Sequence, residues 1–127
     1  MNTNSILKAL MLVTILGGAL TSCTWEEIKP NKTAVVVPDS VKFSANIIPI
    51  FTANCAKSGC HVKGVQPPDL SAANAYTSLI YFGYVDTDFP DQSSLYLKIT
   101  SGSMKDKATD VDRAVILKWI QQGALDN

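Results

Sequence analysis

A short cluster of thiol and imidazole side chains constrains the fold of this chain more than any other feature of its sequence. Cys55 and Cys60 are separated by four residues, and His61, the single histidine, directly follows the second cysteine. Side chains so close along the chain must share one site in a compact structure. Clusters of this composition form disulfides, bind metals or attach a cofactor covalently. The fold must therefore build a pocket or a stapled loop around residues 55–61.

The order of these three residues is close to the pattern that attaches c-type haem. In that pattern, two cysteines form thioethers with the haem vinyl groups, and the histidine after the second cysteine binds the iron. The usual spacer has about two residues, whereas Cys55 and Cys60 have four between them. The sequence favours one covalent haem c held by Cys55, Cys60 and His61. Three alternatives stay open: a structural Cys55–Cys60 disulfide beside a surface histidine, a metal site, or a redox-active dithiol.

Met104 is the candidate for the second ligand of the iron. Haem iron has an axial position on each face, and histidine with methionine is a common pair that raises the reduction potential. Met104 is the only methionine after the N-terminal leader, and it lies in the polar segment Ser101-Gly102-Ser103-Met104. Packing explains a methionine in such a segment poorly. We expect His61 and Met104 to be the axial ligands. Without Met104, the iron would be five-coordinate or bound by lysine or water.

Residues 1–22 are typical of an export signal. Their apolar run is shorter than the roughly 20 residues that span a membrane. The run ends in Leu20-Thr21-Ser22-Cys23, which resembles a bacterial lipobox, so Cys23 is predicted to carry lipid. The alternative is ordinary cleavage near Cys23, which would leave a free thiol. A lipid anchor would hold the protein to a membrane of the cell envelope, outside the cytoplasm, where c-type haem is attached. Thr24 carries no signal for inner-membrane retention, so we expect the outer membrane.

The charge balance limits the possible partners. The chain has 11 basic and 11 acidic residues, and it has no basic stripe interleaved with aromatic residues, so nucleic acid is not an expected partner. Residues 23–40 contain two prolines and no helical periodicity, which predicts a lipidated tether. Residues 41–127 form the single remaining domain. A domain of this size has a marginal core, which favours a staple or a cofactor.

The spacing of apolar residues predicts two helices in the first half of this domain. The first covers about 43–56, and Pro49 should make its first turns irregular or kinked. The second begins with Ser71 as the N-cap residue and ends before Gly83. Its apolar side chains are Tyr76, Leu79 and Ile80, which are expected to face inward.

Two further helices are predicted in the second half. The third follows Pro90 and ends near Gly102. The fourth begins with Asp110 as its cap and ends at Gly123. No strand pattern competes, so the sequence predicts an all-α domain. The apolar stripe of the fourth helix is formed by Val111, Val115, Ile116, Trp119 and Ile120.

The order of these parts resembles a small monohaem cytochrome c domain. The chain runs from a helix through the Cys-Cys-His cluster, a loop and short helices to a methionine and a final helix, and the resemblance covers nearly all of 41–127. The segment Trp119–Ala124 is similar to the ending of such domains in environmental bacteria, particularly Bacteroidetes and planctomycetes, and the chain resembles a lipoprotein of the Bacteroidetes type. The resemblance implies a bundle of about four helices around a covalently bound haem.

The resemblance also assigns roles around the haem. A proline carbonyl of Pro67 or Pro68 would accept the N–H of His61, and Leu70 would pack on the porphyrin. Phe51 on the first helix and Trp119 on the last would meet where these helices cross.

The function implied by the resemblance is electron transfer rather than catalysis. The expected protein is a monomeric, membrane-tethered electron carrier that docks transiently with redox proteins. One alternative is a five-coordinate haem protein that senses a gas or handles peroxide. The other is a haem-free envelope lipoprotein with a Cys55–Cys60 disulfide.

Overall fold

The computed structural model of the chain describes residues 36–127, so the predicted signal, Cys23 and most of the predicted tether lie outside the described residues. This part of the chain contains four α-helices and no strand, which confirms the all-α prediction. A search of the same residues found no helix with the length and apolar character needed to cross a membrane. The helices are α1 (Ile48–Asn54), α2 (Ala75–Tyr81), α3 (Ser94–Thr100) and α4 (Asp110–Gln121).

The predicted first helix is divided into two parts. A π-helical segment, Phe43–Ile47, leads directly into α1. Pro49 lies in the first turn of α1, a position that tolerates proline. The predicted irregularity of the first turns is therefore confirmed, and it takes the form of a wide π turn.

The second helix begins later than predicted, because Ser71 is not its cap. The Ser71 hydroxyl donates to Oδ1 of Asp69 over 2.6 Å, and the Ser71 amide donates to the same oxygen over 3.0 Å. A hydroxyl engaged by the preceding carboxylate does not cap the helix. Ser71 opens a turn, and α2 starts at Ala75 after Asn74.

The third helix matches its prediction closely. A 3₁₀ turn, Pro90–Gln92, precedes α3, and Leu95 and Ile99 are buried. The buried hydroxyl of Ser93 donates to the Asp86 carbonyl over 3.0 Å and accepts from the Asp86 amide over 2.8 Å. These two bonds fasten the preceding loop to the start of α3.

The fourth helix is confirmed, but its cap lies one residue before Asp110. Thr109 is the N-cap residue, and it forms a capping box with Asp112: the Asp112 amide donates to Thr109 Oγ1, and the Thr109 amide donates to Asp112 Oδ2. Asp110 instead occupies the first helical position. Val111 is 46% exposed and does not belong to the apolar stripe. The predicted stop is confirmed at Gly123, whose φ is +91°.

An aromatic cluster forms the centre of the core. The Phe43 ring centroid lies 5.0 Å from that of Trp119, 5.3 Å from that of Tyr76 and 6.5 Å from that of Phe51. Among the described residues, the aromatic ring paired with Trp119 is that of Phe43, and no ring pair between Phe51 and Trp119 is present there. The π-helical segment, which carries Phe43, packs against α4.

Hydrogen bonds from residues 122 and 127 fix the backbone of residues 39–43, which precede α1. Gln122 Nε2 donates to the Asp39 carbonyl over 2.7 Å, and Gln122 Oε1 accepts from the Val41 amide over 3.0 Å. Asn127 Oδ1 accepts from the Phe43 amide over 2.8 Å. Because these bonds fix the backbone on both sides of Val41, they hold the Phe43 ring in the core.

We expect Phe43→Ala to lower the free energy of unfolding by about 3–5 kcal/mol, because it removes the ring that joins three other aromatic side chains. The measurement is chemical denaturation followed by far-UV circular dichroism. Phe89→Ala is the matched control, because Phe89 is 65% exposed, and it should change the free energy by no more than about 0.5 kcal/mol. Equal effects of the two substitutions would show that Phe43 does not organise the core.

Candidate functional site

One cavity collects every predicted site residue of the described part of the chain. Its volume is about 420 Å³, within the range of roughly 300–1,000 Å³ that is usual for small-molecule and cofactor sites. The walls come from α1, α3, the loop that follows α1 and the segment between α3 and α4. The predicted residues that line it are Cys55, Cys60, His61, Pro67, Pro68, Leu70 and Met104.

The loop that carries the cysteines is closed by its own backbone. The His61 amide donates to the Cys55 carbonyl over 3.2 Å, and the Cys60 amide donates to the Lys57 carbonyl over 2.9 Å. Gly59 has a φ of +81°, a conformation that other residues adopt only with strain. The turn therefore brings Cys55 and Cys60 to the same wall of the cavity, and both are free thiols.

The imidazole of His61 is oriented by a backbone carbonyl. Its Nδ1 lies 3.1 Å from the carbonyl oxygen of Pro68. Because a carbonyl only accepts hydrogen bonds, Nδ1 must carry the hydrogen, and the neutral ring keeps a lone pair on Nε2. The sequence left open whether Pro67 or Pro68 supplies this carbonyl, and the structure selects Pro68.

Asp69 holds the Pro68 carbonyl in place. The Asp69 amide donates to Ser78 Oγ of α2 over 2.9 Å, and its carboxylate accepts from the Ser71 amide, the Ser71 hydroxyl and Asn74 Nδ2. These bonds, with that of the Ser71 hydroxyl the strongest, lower the pKa of the Asp69 carboxyl. The next residue, Leu70, is buried, and its amide donates to the His61 carbonyl over 2.9 Å. The loop is thus tied at both His61 and α2.

Met104 reaches the same cavity from the segment between α3 and α4. Its amide donates to the Lys98 carbonyl over 3.0 Å, and the Gly102 amide donates to the Leu97 carbonyl over 2.9 Å. A Cβ at Gly102 would lie 2.8 Å from the Lys98 Cα, so only glycine permits this close approach. The Met104 side chain is partly buried against the core. The structure therefore brings both predicted axial ligands to one cavity.

The thiol of Cys55 lies in an environment that disfavours its ionisation. Burial raises the pKa of Cys55, and the Asp112 carboxylate and the Cys60 thiol raise it further, while Lys57 partly offsets them. A thiol with a raised pKa is a weak nucleophile at neutral pH, because the thiolate is the reactive form.

Several cavity residues were not predicted from the sequence. Ile50 and Asn54 lie four positions apart on α1 and share one face, so helical spacing could have identified them. Tyr84 follows Gly83 in an irregular segment, and nothing in its sequence neighbourhood indicates the cavity. Lys98 and Lys107 also line the site. Within residues 36–127 there is no group of three or more His, Cys, Asp or Glu side chains placed to hold a metal ion.

Comparisons of the chain with protein-family models, with curated proteins and with solved structures found no match. The all-α class follows from the helices of the described residues. The resemblance to a cytochrome c domain stays a prediction, and the function has to be inferred from the site.

We expect Asp69→Asn to destabilise the protein at neutral pH, with a difference that disappears in acid. A carboxyl whose pKa is lowered by folding stabilises the native state above its unfolded value of about 3.9, and this contribution is lost as the pH falls through the folded value. Urea denaturation of wild type and variant at about pH 7 and about pH 3 tests this, because the stability difference should be full at the higher pH and smaller at the lower one, which lies below the unfolded value of about 3.9.

The matched control for Asp69→Asn is Asp126→Asn, because Asp126 is exposed near the C-terminus. It removes one charge without removing the turn at Ser71. A stability difference for Asp69→Asn that is the same at both pH values would mean that its charge does not hold this turn.

Proposed function

We propose that this chain is a membrane-tethered monohaem c-type cytochrome that transfers single electrons outside the cytoplasm. The observation that carries the proposal is the meeting of Cys55, Cys60, His61 and Met104 at one cavity of about 420 Å³. Two thiols, an oriented imidazole and a thioether are the groups that attach a haem covalently and bind its iron on both faces.

The chemistry of the donor set fits a covalently attached haem. The two thiols are free and lie on one wall, as thioether formation requires. His61 has its Nδ1 committed to Pro68, which leaves Nε2 for the iron. Met104 comes from a different part of the chain, beyond α3, and supplies a soft sulfur ligand.

The remaining lining also fits a haem. Leu70, Ile99 and Ile116 give the cavity an apolar surface, which suits the porphyrin plane and limits the access of water. Lys98 and Lys107 supply positive charge at the same cavity, and a haem carries two carboxylates that need cations or water as partners.

When bound, the haem would supply an iron centre that takes up and releases one electron. The Pro68 carbonyl fixes the His61 ring and raises its basicity as a ligand. With Met104 as the second ligand of the iron, no position would stay open for a substrate, and we propose a carrier rather than an enzyme. The Met104 sulfur and the apolar lining would favour the reduced iron and raise the reduction potential.

The cellular setting is part of the same proposal. Lipid on Cys23 would anchor the protein in the envelope, in the outer membrane, and residues 23–40 would tether the domain. The domain would act as a monomer and meet other redox proteins through small, transient interfaces. Its nearly balanced charge would steer such encounters only weakly.

The environment of Cys55 does not suit it as the reactive thiol of a redox-active dithiol. Catalytic dithiols have at least one thiol whose pKa is lowered by nearby positive charge or by a helix N-terminus. The pKa of Cys55 is raised instead, first by burial and then by Asp112. A half-buried thiol at the wall of the cavity is suited to attachment of a cofactor by a maturation system.

Mass spectrometry of the proteolytic peptide that contains residues 55–61 tests the proposal. The full chain is exported together with a haem-attachment system, and we expect the peptide to carry the mass of haem. The double variant Cys55→Ser/Cys60→Ser is the control, and it should carry none. A wild-type peptide that lacks two hydrogens and carries no haem would identify the disulfide-linked lipoprotein instead.

Met104→Ala separates the electron carrier from a five-coordinate haem protein. We expect the variant to lose nearly all of the low-spin absorption spectrum and to have a lower reduction potential, because an axial ligand is removed. Absorption spectroscopy and a redox titration measure both effects. Ser103→Ala is the control, because Ser103 is an adjacent residue that lines the same cavity. An unchanged spectrum in Met104→Ala would favour the gas sensor or peroxidase-like alternative.

A further inference from the structure

Arg113 connects both sides of the segment that carries Met104. Its Nε donates to the Ile99 carbonyl of α3 over 2.6 Å, and its Nη2 donates to the carbonyl of Lys105, the residue after Met104. We infer that Arg113 is a positioning residue for Met104 that keeps the methionine sulfur at the iron. This inference rests on the proposed function, because it concerns the ligand role of Met104.

The acceptor at Ile99 has a structural reason to bind a side chain. The last carbonyls of an α-helix have no partner within the helix. At the end of α3, the Leu97 and Lys98 carbonyls accept from the amides of Gly102 and Met104. The Ile99 carbonyl accepts from Arg113. Three successive carbonyls at the end of α3 thus hold the Met104 segment, and Arg113 provides one of these links.

Arginine is suited to this link in a way that lysine is not. The guanidinium is planar, and its donors point in fixed, divergent directions, so one side chain can bind two separate carbonyls. Arg113 lies in the first turns of α4, and the capping box of Thr109 and Asp112 fixes the start of that helix. The Arg113 side chain is only 23% exposed. The guanidinium is therefore mostly shielded from solvent, and its position is fixed by α4.

The ion pair with Asp110 is not the important contact of Arg113. Nη1 of Arg113 lies 2.6 Å from Asp110 Oδ1, but the Asp110 side chain is 78% exposed. Exposed pairs within one helix are screened by water and contribute little. The two carbonyl contacts instead join α3 and the Met104 segment to α4, so their loss should let that segment open.

Three variants of the full chain with attached haem test this inference. Arg113→Gln removes the fork and the charge, Arg113→Lys keeps the charge without the fork, and Asp110→Asn removes only the ion pair. The first measurement is amide hydrogen exchange of residues 102–107, compared with the interior of α4. We expect both Arg113 variants to exchange about tenfold faster in 102–107, while α4 and Asp110→Asn stay close to wild type.

The second measurement is the binding of added imidazole to the ferric protein, followed by absorption spectroscopy. Imidazole binds the iron only when Met104 has left it, so the apparent affinity reports the population of the open segment. We expect both Arg113 variants to bind imidazole about tenfold more tightly than wild type and Asp110→Asn. A purely structural role of Arg113 would not change this affinity selectively.

Several results would overturn the inference. The first is that both Arg113 variants show the same hydrogen exchange and the same imidazole affinity as wild type. The second is that hydrogen exchange becomes faster to the same extent in all helices. If Asp110→Asn behaves like Arg113→Gln, the ion pair and not the carbonyl contacts holds the segment. If Arg113→Gln does not fold, Arg113→Lys provides the same comparison.

The failure of the proposed function has a separate signature. A wild-type chain without haem removes the ligand role of Met104, and the imidazole measurement then has no signal. Hydrogen exchange of 102–107 still shows whether Arg113 holds this segment. If wild type carries haem and the Arg113 variants match it in hydrogen exchange and imidazole affinity, the proposed function stands and only the positioning role is rejected.

Discussion

The structure depends on side chains that bond to the backbone of loops, because its helices are too short to be stable alone. α1, α2 and α3 have seven residues each, whereas isolated helices shorter than about 12 residues are marginal in water. Only α4 is longer. Burial around the aromatic cluster supplies part of the missing stability, and the loops are fastened by Asp69, Ser93, Arg113 and Gln122.

The candidate site is built by these fastened loops more than by the helices. His61 and Met104 both lie outside helical segments, and each is held through a neighbouring backbone carbonyl, that of Pro68 or that of Lys105. Functional residues commonly lie on loops carried by a rigid scaffold. Here the scaffold is small, so precise placement of the loops requires dedicated polar side chains. Those side chains are therefore part of the site, although they do not line the centre of the cavity.

Sequence reasoning predicted the elements that depend on side-chain periodicity and local composition. The four helices, the stop at Gly123 and the grouping of Cys55, Cys60 and His61 are of this kind. It could not choose between Pro67 and Pro68, because the deciding contact is made by a carbonyl that every residue has. It assigned Ser71 to the wrong role because Ser71 suits both a helix cap and a bond to Asp69.

The pairing of Phe43 with Trp119 was also out of reach, because it depends on a π turn whose wider spacing changes the side that faces α4. Arg113 illustrates the same limit, since both carbonyl acceptors of its guanidinium belong to the backbone and leave no trace in the sequence.

Under the proposed function, the two ligands of the iron would be held in different ways. His61 is held by local bonds within 55–70, whereas Met104 depends on a contact from α4. Changes in packing between α3 and α4 would therefore act on the methionine side of the iron first.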